Sequence, residues 1–285
     1  MKPSGRQEWM EVLSGPGRMA GKDARGGFAY DLDLSFPGLA TAIHAGNSLR
    51  DELKPVAVIS ARERQREEDT ATDQVIRACP STVWALDSRA EYDLNRPVQA
   101  ALPLVPEMFW GQQVYRAPLS AALIRRSREK YTAFYAFMEA LLSTLLARHG
   151  ACVVYDIHAY NIERQLAKGH PSPPVFNLGT RCVDRRRWYP AIEGWLGHLG
   201  DITVPGLATS VAENDVFEGR GEFCRYLTQW DSRVLMLPTE IAKVYMDELT
   251  GEVHPPRVEA LKYGLARAVV AHGQEFQRKY CSREK

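Results

Sequence analysis

The chain has 285 residues, of which 45% are hydrophobic, and its 36 basic and 35 acidic side chains leave a formal net charge of +1. This balance gives no indication of binding to nucleic acid or to an anionic membrane, so we expect a small-molecule partner. The sequence begins without the apolar core of a signal peptide and lacks the roughly 18 consecutive apolar residues of a membrane span, so we expect a soluble, cytoplasmic protein.

The first elements in chain order are an arm, a strand and a helix. Residues 1–22 are polar and rich in glycine and proline, which predicts a flexible N-terminal arm before a single domain over residues 23–285. The apolar run at residues 39–43 predicts a buried strand that ends at His44. A charged segment without proline or glycine predicts a helix over residues 62–77.

The rest of the chain alternates between strand and helix patterns. Short apolar runs predict three further strands, at residues 82–86, 152–157 and 234–237. Apolar residues that recur at intervals of three and four predict amphipathic helices, at residues 119–148 and 258–280. The alternation predicts an α/β fold in which a mixed central sheet carries helices on both faces.

Three of the predicted strands end at side chains that can bind a metal or move a proton. Two of these residues are His44 and His158, and the third is Glu240. Ligands of open α/β sheets bind at the carboxyl ends of the strands. A catalytic zinc ion typically has three protein ligands, so two histidines would need a carboxylate as the third. A structural role for each histidine is the alternative interpretation.

Short motifs in this region resemble those of known hydrolase families. Residues 156–160, Asp-Ile-His-Ala-Tyr, resemble the segment around the last zinc ligand of zinc carboxypeptidases and aspartoacylases. Ser-Arg at 88–89 followed by Asp-Leu-Asn-Arg-Pro at 93–97 resembles the signature of N-formylglutamate amidohydrolases, and aspartoacylases share its Asp-Leu-Asn-Arg part. Other segments similar to the amidohydrolase family are residues 43–46, 68–73 and 213–219.

The resemblance implies a zinc carboxypeptidase-like, or phosphorylase/hydrolase-like, fold and a Zn²⁺ ion bound by His44 and His158. Zinc carboxypeptidases place a glutamate three residues after the first histidine, but this chain has Asn47 there, so the acidic ligand must come from elsewhere. Asp69 is the predicted ligand. The alternatives are Asp73, Glu68 and Glu52.

The resemblance also implies roles for polar residues around the metal. Arg89 would stabilise the oxyanion of the tetrahedral intermediate, and Glu240 would act as the general base. Asn95 and Arg96 would bind a carboxylate of the substrate, for which Arg181 is a second candidate.

The reaction that the resemblance implies is hydrolysis of an N-acylated acidic amino acid, such as N-formyl-L-glutamate to formate and glutamate. Two other hypotheses stay open, together with the acyl group, the metal used and the oligomeric state. One is an aspartoacylase-like or carboxypeptidase-like hydrolase with another acyl or peptide substrate. The other is a catalytically silent binding protein of the same fold, which the missing glutamate at position 47 keeps in consideration.

Overall fold

A computed structural model describes residues 5–15 and 17–281. In this part of the chain the strands are β1 (Arg18–Lys22), β2 (Phe28–Asp33), β3 (Gly38–Ala42), β4 (Thr82–Ala85), β5 (Cys152–Tyr160), β6 (Phe176–Leu178), β7 (Val211–Glu213) and β8 (Val234–Ala242). The α-helices are α1 (Arg6–Leu13), α2 (Ala61–Glu67), α3 (Thr72–Ile76), α4 (Ala121–His149), α5 (Ile162–Ala167), α6 (Arg185–Gly200), α7 (Glu222–Trp230) and α8 (Pro255–Tyr280).

The strands form one mixed sheet in the order β1-β2-β4-β3-β5-β8-β6-β7. The four central strands, β4, β3, β5 and β8, are parallel, whereas β2 and β6 join them in antiparallel orientation. Every residue of β3 and β5 is buried, as expected for parallel strands covered on both faces. The carboxyl ends of the central strands therefore meet at one edge of the sheet.

The helices pack in two groups, with the sheet between them. Helix α4 packs against α1, and its Phe134 contacts Phe28 of β2 and Phe223 of α7. In the second group, α8 packs against α3 and α6, and Tyr155 of β5 contacts Trp195 of α6. The predicted α/β class with a mixed sheet is thus confirmed, while a specific likeness to zinc carboxypeptidases stays a prediction. None of the described helices is long and apolar enough to cross a membrane.

The N-terminal segment differs from the predicted flexible arm. Within the described residues 5–15 and 17–22, the chain forms helix α1 and strand β1, and β1 pairs with β2 along its whole length. Trp9 and Leu13 lie one helical turn apart and are buried, and the Trp9 ring contacts the ring of Phe137. Because only these two residues of a short, polar helix are buried, the periodic signal is too weak to indicate the helix in the sequence.

The helix predicted over residues 62–77 is also different, because the structure breaks it into α2 and α3. Residues 68–71, the α2–α3 link, leave the helical path, and Ala71 has a left-handed φ of 65°. The link is buried at Glu68 and Asp69, where the sequence pattern is typical of a solvated helix face. The break turns two acidic side chains inward, and one of them reaches the edge of the sheet described below.

Candidate active site

Three buried side chains meet at the carboxyl ends of β3 and β5. His44 follows β3, His158 lies in β5, and Asp69 comes from the α2–α3 link. Asp69 Oδ2 lies 3.5 Å from His44 Nδ1 and 3.2 Å from His158 Nδ1, and the two Nδ1 atoms are 3.2 Å apart. The structure therefore brings together the three residues that the sequence analysis singled out as a metal site.

Carboxylates fix the orientation of both imidazole rings. His44 Nε2 lies 2.8 Å from Asp93 Oδ1, and His158 Nε2 lies 2.9 Å from Asp156 Oδ2. Asp156 is two residues before His158 on the same side of β5, and it accepts a hydrogen bond of 2.8 Å from the Thr41 hydroxyl. When each Nε2–H donates to its carboxylate, each Nδ1 keeps a lone pair directed at the centre of the cluster, as in metal sites with an aspartate behind the histidine.

The geometry of this cluster fits a divalent metal ion. In a tetrahedral zinc site with bonds of about 2.0–2.1 Å, neighbouring ligand atoms are about 3.3 Å apart, which agrees with the separations between His44, Asp69 and His158. Two nitrogen lone pairs and a carboxylate that face each other in a buried space repel one another unless they share a cation. The cluster can therefore hold a metal such as zinc.

The electrostatics of the cluster also favour positive charge. When no metal is bound and the Nδ1 atoms carry hydrogen, burial opposes ionisation of Asp69, but hydrogen bonds from His158 and His44 outweigh this effect and lower the pKa of its carboxyl. Burial likewise opposes protonation of His158, but Asp156 and Asp69 raise the pKa of its ring well above the usual value. The surrounding carboxylates thus create a potential that attracts a proton or a cation.

The alternative acidic ligands lie elsewhere. Glu68 points away from the histidines and accepts a hydrogen bond of 2.5 Å from the Ser88 hydroxyl. Asp73 and Glu52 each pair with an exposed arginine on the surface. Among the four acidic residues considered from the sequence, only Asp69 belongs to the cluster with the two histidines.

Glu240 lies beside the cluster on the neighbouring strand. The parallel pairing of β5 and β8 sets Glu240 directly opposite His158. Both strands continue past the predicted ends, to Tyr160 and Ala242, so these two side chains project from within the sheet. Loss of water around the carboxyl raises the pKa of Glu240 to about 7, although His158 acts in the opposite direction. A carboxyl with this pKa can both accept and return a proton at neutral pH.

Arg89 is fixed on the other side of the cluster. Its Nη2 and Nε atoms donate to Asp93 Oδ2 at 2.7 and 3.2 Å, and its Nη1 lies 3.9 Å from Asp69 Oδ1. The guanidinium also lies over the ring of Trp110, at 4.6 Å from the ring centroid. These contacts hold a cation close to the proposed metal site in one orientation.

A cavity of about 520 Å³ opens onto these residues, a size typical of small-molecule sites. Of the predicted site residues, those that line it are His44, Asp69, Arg89, Asn95, His158 and Glu240. Asn95 Oδ1 accepts a hydrogen bond of 3.1 Å from the backbone N–H of Phe223. Arg96 and Arg181 do not line the cavity. Arg96 Nε lies 3.4 Å from Asp93, and the exposed Arg181 lies 3.3 Å from Glu218.

Several cavity residues were not identified from the sequence. Arg164 donates two hydrogen bonds to the buried carboxylate of Glu67, at 2.9 and 2.7 Å, and its guanidinium lies near the ring of Trp110. Lys243 also lines the cavity. Arg164 and Lys243 follow shortly after β5 and β8, so their position beyond strand ends was an available signal, whereas no local pattern marks Trp110.

Known proteins are similar to this chain in sequence and in fold. Residues 36–246 match the family model of N-formylglutamate amidohydrolase. The chain is similar in structure to N-formylglutamate amidohydrolase from Ralstonia eutropha JMP134, with a TM-score of 0.70, 21% sequence identity, and coverage of 88% of this chain and 98% of that one. A gene product from Agrobacterium tumefaciens gives a TM-score of 0.59 at 16% identity, with coverage of 94% and 98%. A search of curated proteins finds no significant match. The structural likeness concerns the fold, but the family match spans most of the sequence, and the chain therefore belongs to the N-formylglutamate amidohydrolase family.

Proposed function

We propose that this protein is a zinc-dependent hydrolase of N-acylated acidic amino acids, and that it converts N-formyl-L-glutamate to formate and glutamate. The observation that carries the proposal is the buried group of His44, Asp69 and His158 beside Glu240 in one cavity. Membership of the N-formylglutamate amidohydrolase family supports the substrate class.

His44, Asp69 and His158 would hold the zinc ion, with Asp93 and Asp156 orienting the two rings. When bound, zinc lowers the pKa of a water molecule and polarises the carbonyl group of the substrate. The two carboxylates that accept from the histidines keep both Nδ1 atoms available for the metal, which is their contribution to its affinity.

Glu240 would carry the proton during hydrolysis. Its carboxylate accepts a proton from the attacking water and returns it to the nitrogen as the carbon–nitrogen bond breaks, so that formate and a free amine are released. Desolvation raises the pKa of this carboxyl to about 7 in the metal-free protein, which supports its role in proton transfer.

Arg89 would donate hydrogen bonds to the carbonyl oxygen as it gains negative charge, and Asp93 would keep its guanidinium in place. A substrate with carboxylates would meet several cationic side chains in the cavity, namely Arg66, Arg164, Lys168 and Arg220. Asn95 lies among these residues. Arg96 does not line the cavity but lies near the ring of Trp110, and it remains a proposed carboxylate ligand.

A substrate panel tests the proposed reaction. The protein is purified, its metal content is measured by mass spectrometry, and release of the acyl group is followed with N-formylglutamate, N-acetylaspartate and a short peptide. We expect formate release from N-formylglutamate that stops on chelation and returns with zinc. Faster hydrolysis of N-acetylaspartate or of the peptide would indicate an aspartoacylase-like or a carboxypeptidase-like hydrolase instead. Binding of these compounds without turnover by the zinc-loaded protein would indicate a catalytically silent binding protein.

Metal content of two aspartate variants tests the ligand assignment. Asp69→Ala is expected to lose zinc, as is His158→Ala, because two remaining ligands hold the ion poorly. Asp73→Ala is the matched control, because that carboxylate lies a few residues away and pairs with Arg77 instead. Zinc retained by Asp69→Ala and lost by Asp73→Ala would reverse the assignment.

A further inference from the structure

Two side chains from the segment after β8 hold the backbone on both sides of Asp69 in the α2–α3 link. The Lys243 ammonium donates to the backbone oxygens of Arg66 and Glu68, at 2.8 and 2.9 Å. The Tyr245 hydroxyl donates to the backbone oxygen of Thr70 at 2.8 Å. Lys243 and Tyr245, the β8 clasp, thus bind carbonyl groups directly before and directly after Asp69.

Both side chains of the clasp are buried, with 2% of Lys243 and none of Tyr245 exposed. A buried ammonium is costly unless its N–H groups find acceptors, and Lys243 finds them among the last carbonyl groups of α2 and at the start of the link. These carbonyl groups carry the negative end of the helix dipole, which favours a cation. Lys243 therefore binds these carbonyl groups through directed hydrogen bonds and does more than fill space in the core.

The α2–α3 link needs such support because its backbone is unfavourable by itself. The left-handed conformation of Ala71 is unfavourable for a residue with a Cβ atom. Strained backbone persists only where surrounding contacts determine it. Besides the clasp, the N–H of Asp69 donates to the backbone oxygen of His44 at 3.0 Å, and Asn161 donates to that of Arg66 at 2.9 Å.

We propose that Lys243 and Tyr245 are positioning residues, which act through the backbone of the link to fix the Asp69 carboxylate opposite the two histidines. They follow Glu240 by three and five residues on the same segment of chain. The clasp therefore also fixes the metal ligand relative to the general base. This inference rests on the proposed metal site.

The test measures zinc affinity and backbone protection separately. Zinc affinity is determined by competition with a chromophoric chelator for the wild type, Lys243→Met and Tyr245→Phe. Hydrogen exchange of the Asp69 amide, relative to the Val154 amide in the centre of the sheet, is measured on the metal-free proteins. Tyr115→Phe is the matched control, because its hydroxyl also donates from a buried position to a backbone oxygen, that of Ala90 at 2.7 Å.

We expect Lys243→Met to bind zinc about 10- to 100-fold more weakly, the range for residues that orient metal ligands, and its Asp69 amide to exchange faster. Tyr245→Phe is also expected to weaken zinc binding and to speed exchange of the Asp69 amide. If Lys243→Met does not fold, Tyr245→Phe alone tests the inference. Tyr115→Phe is expected to lower the melting temperature without changing zinc affinity.

Unchanged zinc affinity and unchanged Asp69 exchange in both clasp variants would overturn the inference, even if their melting temperatures fall. If the wild type itself binds no zinc, the proposed metal site is wrong. The exchange data then test by themselves whether the clasp fixes the backbone at Asp69. Faster Asp69 exchange in the variants supports it in that case, and unchanged exchange overturns it.

Discussion

At the scale of single residues, the strand pairing of His158 with Glu240 explains how the proposed proton acceptor can lie beside a proposed metal ligand without a dedicated loop. Parallel strands in register place opposite side chains side by side, and the sheet holds them rigidly. Desolvation of the Glu240 carboxyl then raises its pKa to about 7 in the metal-free protein. The sheet provides both the placement and the environment of the proposed base.

Replacement of Glu240 by glutamine tests this role. The amide has nearly the same shape but cannot accept the proton, so Glu240→Gln is expected to retain zinc and lower kcat on the order of 100-fold or more. Metal content and steady-state kinetics with N-formylglutamate are the measurements. Near-normal kcat in a zinc-loaded variant would leave Glu240 with a structural role only.

Replacement of Arg89 tests the oxyanion contact. Because the proposed contact strengthens only as the carbonyl oxygen gains charge, Arg89→Met is expected to lower kcat on the order of 100-fold and to change KM much less. The control is Arg233→Met, since Arg233 is an exposed arginine that pairs with Asp231 at the opposite end of β8. A variant of Arg89 that raises KM alone would instead assign this residue to substrate binding.

The sequence indicated residues that have a local signal and missed those that have none. His44, His158 and Glu240 follow apolar strand patterns, so their convergence was predictable from the geometry of a parallel sheet. The position of Trp110 was not, because nothing near it in the sequence indicates that it lines the same cavity. Such contacts arise only when separate loops fold against each other.

At the scale of elements, the α2–α3 link shows how tertiary contacts override a helical pattern. Residues 62–77 contain no helix breaker, yet the chain leaves the helix after Glu67. Hydrogen bonds from Lys243 of the β8 clasp and the burial of Asp69 compensate for the lost helical bonds and for the strained Ala71. Sequence periodicity contains no information about these partners, so the break could not be predicted from it.

Helix α1 gives a stability prediction at this scale. Trp9 is 3% exposed and contacts Phe28, Tyr30 and Phe137, so Trp9→Ala is expected to lower the free energy of unfolding by about 3–5 kcal/mol. Urea unfolding measures the effect, and Val12→Ala, at an exposed position of the same helix, is the control. A loss below about 1 kcal/mol would favour the flexible arm predicted from the sequence.

At the scale of the whole molecule, His272 connects the sheet to two helices. It lies in α8, its Nδ1 accepts a hydrogen bond of 2.8 Å from the Tyr155 hydroxyl of β5, and its Nε2–H donates to the backbone oxygen of Ala191 in α6 at 2.8 Å. The bond from Tyr155 requires an unprotonated Nδ1 and hence the neutral ring, whereas Nε2–H can donate to Ala191 in either protonation state. Burial lowers the pKa of His272 to about 4, and His198 acts in the same direction, whereas Glu275 and the bond to Ala191 act against it.

This histidine should make the stability of the metal-free protein depend on pH. Above a pH of about 6.5 the ring is neutral in the folded and unfolded chains, so it contributes no pH dependence. As the pH falls from 6.5 to about 4, the unfolded chain binds a proton that the folded protein does not, and the free energy of unfolding decreases. The total decrease from this group is about 3 kcal/mol, at about 1.4 kcal/mol per pH unit.

Other buried groups also titrate in this range, so the measurement compares urea unfolding of the wild type and His272→Gln between pH 4 and 7.5. The variant is expected to be less stable at neutral pH but to lose less stability on acidification, and parallel curves for the two proteins would contradict the lowered pKa of His272.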